Sequence, residues 1–216
     1  MAITTELVLA RHGEAICNTE GIVGGETGCT GLTALGHDQA RQLAKRLAAD
    51  HSVRPFDAFY ATPRLRVRQT AEAVTGALGL QPTILDDLRG PHHGDADGRP
   101  WQEIKTAFGG PPQHAPDRSY ATGSETWNQY LTRAMNALDG IIRRHRGQRI
   151  LITAHGETIE AAHCLLLGLP PEARAALGFI TDHACLTCWE QHVNRFGREV
   201  WMLACHNDTS HLAKGA

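Results

Sequence analysis

Two short apolar runs, each followed at once by a histidine and a glycine, constrain the fold of this chain most strongly. Residues 7–10 precede Arg11-His12-Gly13, and residues 150–154 precede His155-Gly156. Runs of this kind are typical of strands buried on both faces of a parallel sheet. In open α/β sheets, ligands bind beyond the carboxyl ends of the strands. If the two strands are neighbours, the two histidines lie close together in one site.

Segments of helical period separate the apolar runs. Thr33 and Thr62 are suitable N-caps, and Pro63 suits a first helical position. Two further helices are expected at residues 125–145 and 157–167. Three further strands are expected at residues 57–61, 184–189 and 200–205. This alternation predicts an α/β fold, a three-layer α/β/α sandwich with a mostly parallel central sheet, as a single domain over 1–216.

The least regular region is 88–124, which is rich in Gly, Pro, His and Asp. It is long for a connection inside a compact domain, which favours a cap or lid insertion with a functional role. Its aromatic side chains have two interpretations: they form an apolar wall for a substrate, or they pack a local helix onto the domain. The side chains concerned are Trp101, Phe108, His114 and Tyr120.

Composition narrows the class of protein. Lys plus Arg number 21 against 23 Asp plus Glu, so bulk charge does not favour a nucleic-acid partner. No apolar run approaches the roughly 18 residues that a membrane span requires. The first residues lack the basic and then apolar pattern of a signal peptide. We expect a cytoplasmic protein, a monomer or a homodimer, that binds neither nucleic acid nor membrane.

The six cysteines are scattered, and only Cys185 and Cys188 have the spacing of metal ligands. A single CxxC pair is weak support for zinc or redox chemistry. Its alternating context is more typical of a half-buried strand than of a metal site. His92, His93 and Asp95 form another histidine-rich group, but no second cluster at ligand spacing accompanies it. We expect no metal and no cofactor.

Three arginines follow Pro63 at alternate positions. On a helix that turns about 100° per residue, Arg64 and Arg68 share one face, where they are expected to be solvated. Arg66 lies on the side expected to face the core, and an inward arginine requires an anion. An arginine near a helix N-terminus is a natural phosphate site.

Several segments together resemble the histidine phosphatase superfamily (the phosphoglycerate mutase-like branch 1). They are Arg11-His12-Gly13-Glu14 with Asn18, Leu32-Thr33-Ala34-Leu35-Gly36 with Gln39-Ala40, Thr62-Pro63 with Arg66 and Gln69-Thr70-Ala71, Gly123-Ser124-Glu125 with Arg133, and Ala154-His155-Gly156. The resemblance covers nearly the whole chain, in order.

The resemblance implies a phosphatase that acts on a small phosphorylated metabolite. His12 would be the nucleophile that forms a phosphohistidine. Arg11, Arg66 and His155 would hold the phosphoryl oxygens. The resemblance and the turns at these positions also suggest that Asn18, Gly25 and Gly156 contact the substrate. No metal is needed by this mechanism.

One position departs from the family pattern. Many members carry a general-acid glutamate in an LxExxxGxxEG-like segment, which corresponds here to residues 88–98. Placing Gly94 and Gly98 on the family glycines leaves Gly90 where the acid stands. A general acid contributes about 10²–10⁴ in rate, most when the leaving group is basic. His93 and Asp95 are the candidate replacements for this proton donor.

Three hypotheses therefore remain open from the sequence. The phosphatase has a substitute acid, or its substrate has a good leaving group such as an acyl, aryl or diphosphate. Alternatively, the scaffold is repurposed as a lyase or isomerase that acts on an anionic substrate. A phosphate-binding protein without catalysis is the third, although retention of both histidines and arginines favours an enzyme.

Overall fold

The computed structural model describes residues 3–170 and 177–212. Within them, six strands form one sheet in the order β3-β2-β4-β1-β5-β6. The strands are β1 (Ile3–Arg11), β2 (Ala58–Ala61), β3 (Thr83–Ile84), β4 (Arg149–Ala154), β5 (Leu186–Val193) and β6 (Glu199–Asp208). Strands β1 to β4 run parallel to one another, whereas β5 pairs antiparallel with both β1 and β6. The sheet is therefore mostly parallel, as expected, and becomes mixed through the two antiparallel strands β5 and β6.

Six helices of the described residues flank this sheet or connect its strands. They are α1 (Ile16–Thr19), α2 (Ala34–Val53), α3 (Leu65–Leu78), α4 (Trp101–Phe108), α5 (Trp127–Arg144) and α6 (Gly156–Leu166). Thr33 caps α2 as expected, since its hydroxyl accepts the amide of Gly36 at 2.9 Å. The expected cap at Thr62 is wrong, because α3 begins at Leu65 and Arg64 occupies the N-cap position.

The buried side chains of β1 alternate between two helical layers. Leu7 and Leu9 belong to a cluster with α5 and α6, whereas Val8 and Ala10 belong to a cluster with α2 and α3. Successive strand residues point to opposite faces, so each face of the sheet carries its own core. Full burial of one such leucine contributes about 1.5–3 kcal/mol. The three-layer α/β/α sandwich is confirmed.

The register of the two central strands positions the histidines. In the parallel pair of β1 and β4, Arg11 lies opposite Ala154, so both chains leave the sheet at the same level. The amide of His12 also donates to the carbonyl of Ala154 at 3.0 Å. His12 and His155 therefore emerge side by side at the carboxyl edge.

The segment 88–124 approaches the same edge of the sheet at Gly90, where an added Cβ would lie 3.6 Å from the ring of His155. This segment contains α4 and short 3₁₀ turns, including Gly94–Ala96. Its apolar contacts form a small cluster of Val23, Ala96 and Ile104. An isolated bridge joins His93 to Ser124 and brings the two ends of the segment together.

Cys188 lies within β5, opposite Cys205 of β6, and Cys185 is buried just before β5 begins. Over residues 3–170 and 177–212, no group of three or more His, Cys, Asp or Glu side chains is arranged to hold a metal ion. None of the helices in those same ranges is long and apolar enough to cross a membrane.

Candidate active site

His12 and His155 form the centre of a buried group of polar side chains at the ends of β1 and β4. Their side chains are almost fully buried, and the ring centroids lie 5.5 Å apart in an edge-to-face arrangement. Arg11 and Arg66 complete this group of four residues, which we call the anion pocket. The structure thus brings together the four residues predicted to be catalytic.

Arg66 links the two histidines. Its Nε donates to Nε2 of His12 at 2.9 Å, and one terminal nitrogen lies 3.2 Å from Nδ1 of His155. The other terminal nitrogen donates to the carbonyl of Gly24 at 2.7 Å. Within the described residues, Arg66 has no carboxylate partner. A buried guanidinium with only neutral partners is an incomplete ion pair, so this pocket is suited to an anion.

Arg11 adds a second cation with unused hydrogen-bonding capacity. One of its terminal nitrogens donates to the carbonyl of Thr181, while its buried Nε has no hydrogen-bond partner in the part of the chain that the structure describes. A Cβ added to Gly156 would lie 2.7 Å from Oγ1 of Thr181 and 3.5 Å from Nε of Arg11. Glycine at position 156 therefore keeps the space beside Arg11 open.

The hydrogen bonds of His12 determine its tautomer. Nδ1 lies 2.7 Å from the carbonyl of Gly13 and must donate to it, which leaves a lone pair on Nε2. Burial lowers the pKa of His12 well below its ordinary value, and Arg66 and Arg11 lower it further. His12 is therefore a neutral imidazole with its free nitrogen directed toward the guanidinium of Arg66.

His155 is held in the complementary tautomer. Because Arg66 donates to Nδ1, Nε2 of His155 carries the proton and donates to the hydroxyl of Thr62 at 3.0 Å. Burial, and then the charges of Arg66 and His12, lower the pKa of His155 well below its ordinary value. Thr62 thus helps to position His155. The sequence suggests only a helix cap for Thr62 and does not indicate this contact.

Arg64 corrects the expectation of a solvated side chain. It is 3% exposed, and NH1 lies 2.6 Å from a carboxylate oxygen of Glu26. Because Arg64 precedes α3 with an extended backbone, the helical spacing that paired it with Arg68 does not apply. Arg68 is exposed, as expected. Arg64 adds another cation near the pocket, since its charge lowers the pKa of His155.

Asn18 lies at the exposed edge of the pocket. Its Oδ1 accepts the amide of Ala15 at 3.2 Å and lies 3.2 Å from Nε2 of His183. The ring of His183 is 5.9 Å from that of His12. Burial, followed by the charge of Arg11, lowers the pKa of His183 to about 4. No sequence motif distinguished His183 from the other histidines; only the fold shows its position.

The loop around Gly25 is fastened by Asp97. The carboxylate accepts the amides of Gly25, Thr27 and Gly28 at 2.8–3.0 Å. Burial raises the pKa of Asp97, but the donors, Thr27 first, outweigh it and lower the pKa below its ordinary value. Since the amide of Gly25 is already bound, the loop atom that reaches the pocket is the carbonyl of Gly24. Asp97 stands beside Gly98 in the family-like segment, a signal that could have identified it.

The two candidate proton donors differ in location. His93 is 8% exposed, and Nδ1 lies 2.7 Å from the hydroxyl of Tyr120. Burial, and then the charge of Arg64, lower its pKa to about 4. Asp95 is exposed on a 3₁₀ turn, where its amide donates to the carbonyl of Thr122. His93 is therefore the better-placed candidate.

Gly90 lies directly against the anion pocket. A Cβ at this position would be 3.6 Å from the ring of His155, which is ordinary van der Waals contact. Any side chain at position 90 would therefore start beside the second histidine. The buried position contributes only backbone to the pocket.

Comparison with known proteins agrees with this geometry. The family model "Histidine phosphatase superfamily (branch 1)" matches residues 7–207. The chain is 30% identical over 209 residues to the uncharacterized phosphatase PhoE of Bacillus subtilis, covering 97% of each chain. It is 30% identical over 164 residues to a metal-independent phosphoserine phosphatase of Arabidopsis thaliana, covering 74% of this chain and 67% of that protein.

Among solved structures, a mycobacterial glucosyl-3-phosphoglycerate phosphatase in complex with VO3 shares the fold. The TM-score is 0.78 at 24% identity, covering 95% of this chain and 99% of the other. The expected family rested on short motifs spread in order along nearly the whole chain, and the family model matches over residues 7–207. The chain belongs to branch 1 of the histidine phosphatase superfamily.

Proposed function

We propose that this protein is a metal-independent phosphatase that hydrolyses a small phosphorylated metabolite through a phosphohistidine on His12. The observation that carries the proposal is the pairing of a neutral His12 Nε2 with the buried guanidinium of Arg66 at 2.9 Å. An unprotonated imidazole nitrogen thus accepts a hydrogen bond from a cation that has no anionic partner among the described residues. These are the two groups that phosphoryl transfer requires.

In the first step, the phosphoryl group enters the anion pocket and its oxygens accept hydrogen bonds from the guanidinium groups of Arg66 and Arg11. Nε2 of His12 attacks phosphorus in line, the N–P bond forms and the P–O bond to the leaving alcohol breaks. The fixed cations stabilise the charge that develops on the equatorial oxygens. The hydrogen bond from Nδ1 to the carbonyl of Gly13 stabilises the positive charge that the imidazole acquires.

In the second step, water attacks the phosphorus of the phosphohistidine from the side that the alcohol has vacated. The N–P bond breaks, its electron pair returns to Nε2 of His12, and inorganic phosphate is released. The attacking water gives its proton to the group that protonated the leaving alcohol in the first step.

His93 is the proposed proton donor, because glycine occupies position 90, where many family members carry the general-acid glutamate. With a pKa of about 4 it is neutral in the unliganded protein near neutral pH. A phosphate dianion bound nearby would raise this pKa by charge attraction. The empty position at Gly90 also favours a substrate with a weakly basic leaving group, which needs little protonation.

Relatives named as phosphatases, one of them for phosphoserine, support hydrolysis of small phosphate monoesters. We further propose a single catalytic domain in which residues 88–124 cover the pocket and contact the leaving group. The described cysteines are free thiols, which favours a reducing, cytoplasmic compartment. The assembly is proposed to be a monomer or a homodimer.

The test is phosphate release from p-nitrophenyl phosphate in the presence of EDTA, with His12→Ala as the nucleophile variant. We expect full activity in EDTA and a loss of at least about 10³-fold in His12→Ala. His37→Ala, at an exposed position of α2, is the matched control and should retain activity. Acid-labile ³²P trapped on the wild-type protein but not on His12→Ala would identify the intermediate. Unchanged turnover in His12→Ala would refute the proposal.

A further inference from the structure

A cavity of about 290 Å³ lies between α4, the start of α5 and the start of α6. Its volume is close to the lower end of the range for small-molecule sites, about 300 Å³. We call it the cap cavity. The lining side chains that matter here are His93, Trp101, Lys105, Tyr120, Trp127 and Glu157.

The cap cavity adjoins the anion pocket at two places, residues 90–91 and the start of α6. Pro91 lines the cavity, and Gly90 next to it lies against the ring of His155. Glu157 lies two residues beyond His155, in the first turn of α6. The anion pocket and the cap cavity are therefore adjacent at Gly90–Pro91 and at His155–Glu157.

Two carboxylates line the cavity, and their surroundings differ. Glu125 is fully engaged: it accepts two bonds from Arg133, at 2.9 and 2.6 Å, and the amide of His92 at 2.9 Å. Glu157 is half-buried and makes no hydrogen bond or ion pair within the described residues. A partly buried carboxylate without a partner is poorly compensated and suits a cationic ligand group.

The aromatic wall of the cavity also suits a cation. The rings of Trp101 and Tyr120 lie 6.0 Å apart between centroids, inclined by 44°. The ammonium of Lys105 already lies 5.6 Å from the centroid of Trp101. Aromatic faces beside a carboxylate are the surroundings in which proteins bind organic ammonium groups.

We propose that the cap cavity binds the leaving group of the substrate and that this group carries an organic ammonium, so the substrate class is amino-alcohol phosphate monoesters. This inference rests on the proposed function. The two ends of the site then have opposite charge: Arg66 and Arg11 face the phosphate, and Glu157 faces the ammonium.

Phosphocholine and 3,3-dimethylbutyl phosphate test this directly. The two esters have the same shape, but the first carries a positively charged nitrogen where the second has a neutral carbon. We expect kcat/KM to be at least about tenfold higher for phosphocholine. Glu157→Gln should bring that ratio close to one. Lys105→Met removes the competing ammonium and should raise the ratio. Glu160→Gln, one turn along α6 and outside the cavity lining, should leave it unchanged.

Turnover of p-nitrophenyl phosphate separates this inference from the proposed function. If His12-dependent hydrolysis of that ester is observed but phosphocholine has no advantage in the wild-type protein, the ammonium subsite is wrong and the phosphatase stands. A wild-type preference that Glu157→Gln does not reduce would equally overturn the subsite. The wild-type ratio needs no variant to fold, so the inference is testable in every case.

Discussion

The anion pocket and the 88–124 segment lie side by side but are held in place by different means. His12 and His155 follow strands whose register is fixed by continuous parallel pairing and by a core on each face of the sheet. His93 lies in a segment of short turns, isolated bridges and one small apolar cluster. The proposed phosphoryl-transfer histidines thus follow strands of the sheet, whereas the proposed proton donor stands on a loop. The difference suggests that chemistry and substrate choice can change independently.

The largest expected effect is a loss of activity that distinguishes two arginines of α3, Arg66 and Arg68. Arg66→Ala removes the donor to His12 and His155, so kcat/KM for p-nitrophenyl phosphate should fall by about 10²–10³-fold. Arg68→Ala, on the same helix but exposed, should change it less than twofold. Steady-state kinetics on both variants decide the matter. Equal losses would mean that the pocket does not depend on the buried guanidinium.

Position 90 tests whether the two regions cooperate in proton transfer. Gly90→Glu introduces a carboxyl group beside His155, where a Cβ meets only ordinary contacts. For alkyl phosphates we expect kcat to rise by about 10–10²-fold, because a general acid is restored. The gain should be much smaller for p-nitrophenyl phosphate, whose leaving group needs little protonation. Gly90→Gln is the isosteric control, and an equal gain with it would exclude acid catalysis as the cause.

Stability should depend on pH through His93. Its pKa is about 4 in the folded protein and about 6.5 when unfolded, so the unfolded chain binds more protons between these values. The contribution of His93 to the free energy of unfolding is present above pH 6.5 and is lost as pH falls toward 4. Between pH 7 and pH 5 it should reduce the free energy of unfolding by about 2 kcal/mol.

Urea titrations of the wild-type protein and His93→Gln at both pH values measure this contribution. The variant should lose less stability on acidification than the wild-type protein, whatever its stability at pH 7. The same pH-dependent loss in both proteins would show that His93 is not buried as a neutral group.

The smallest expected effect compares one isoleucine from each region. Ile152→Val in β4 should lower the free energy of unfolding by about 1 kcal/mol, because the packed sheet core cannot close around the lost methyl. Ile104→Val belongs to the small cluster with Val23 and Ala96, which can adjust, so a cost below about 0.5 kcal/mol is expected. Equal costs in denaturant unfolding would show that the segment is packed as firmly as the core.

Local sequence patterns predicted the elements well where burial follows from neighbours along the chain. The expected strand at 150–154 lies within β4, and the expected helix at 125–145 includes α5. The inward position of Arg66 followed from helical spacing. The same spacing failed for Arg64, because that residue lies before the helix and its extended backbone turns the side chain toward Glu26.

The sequence by itself determined the family, the alternation of strands and helices, and the two histidines that each follow a buried strand. These depend on periodicity and on short motifs, which each segment carries within itself. Only the tertiary structure decided the pairing of these two strands, the tautomers of His12 and His155, and the contact of Gly90 with His155. It also decided that the carboxylate of Glu157 has no hydrogen-bond or ion-pair partner among residues 3–170 and 177–212. Each of these depends on groups that are far apart in the chain and meet only when the sheet and the helices have packed.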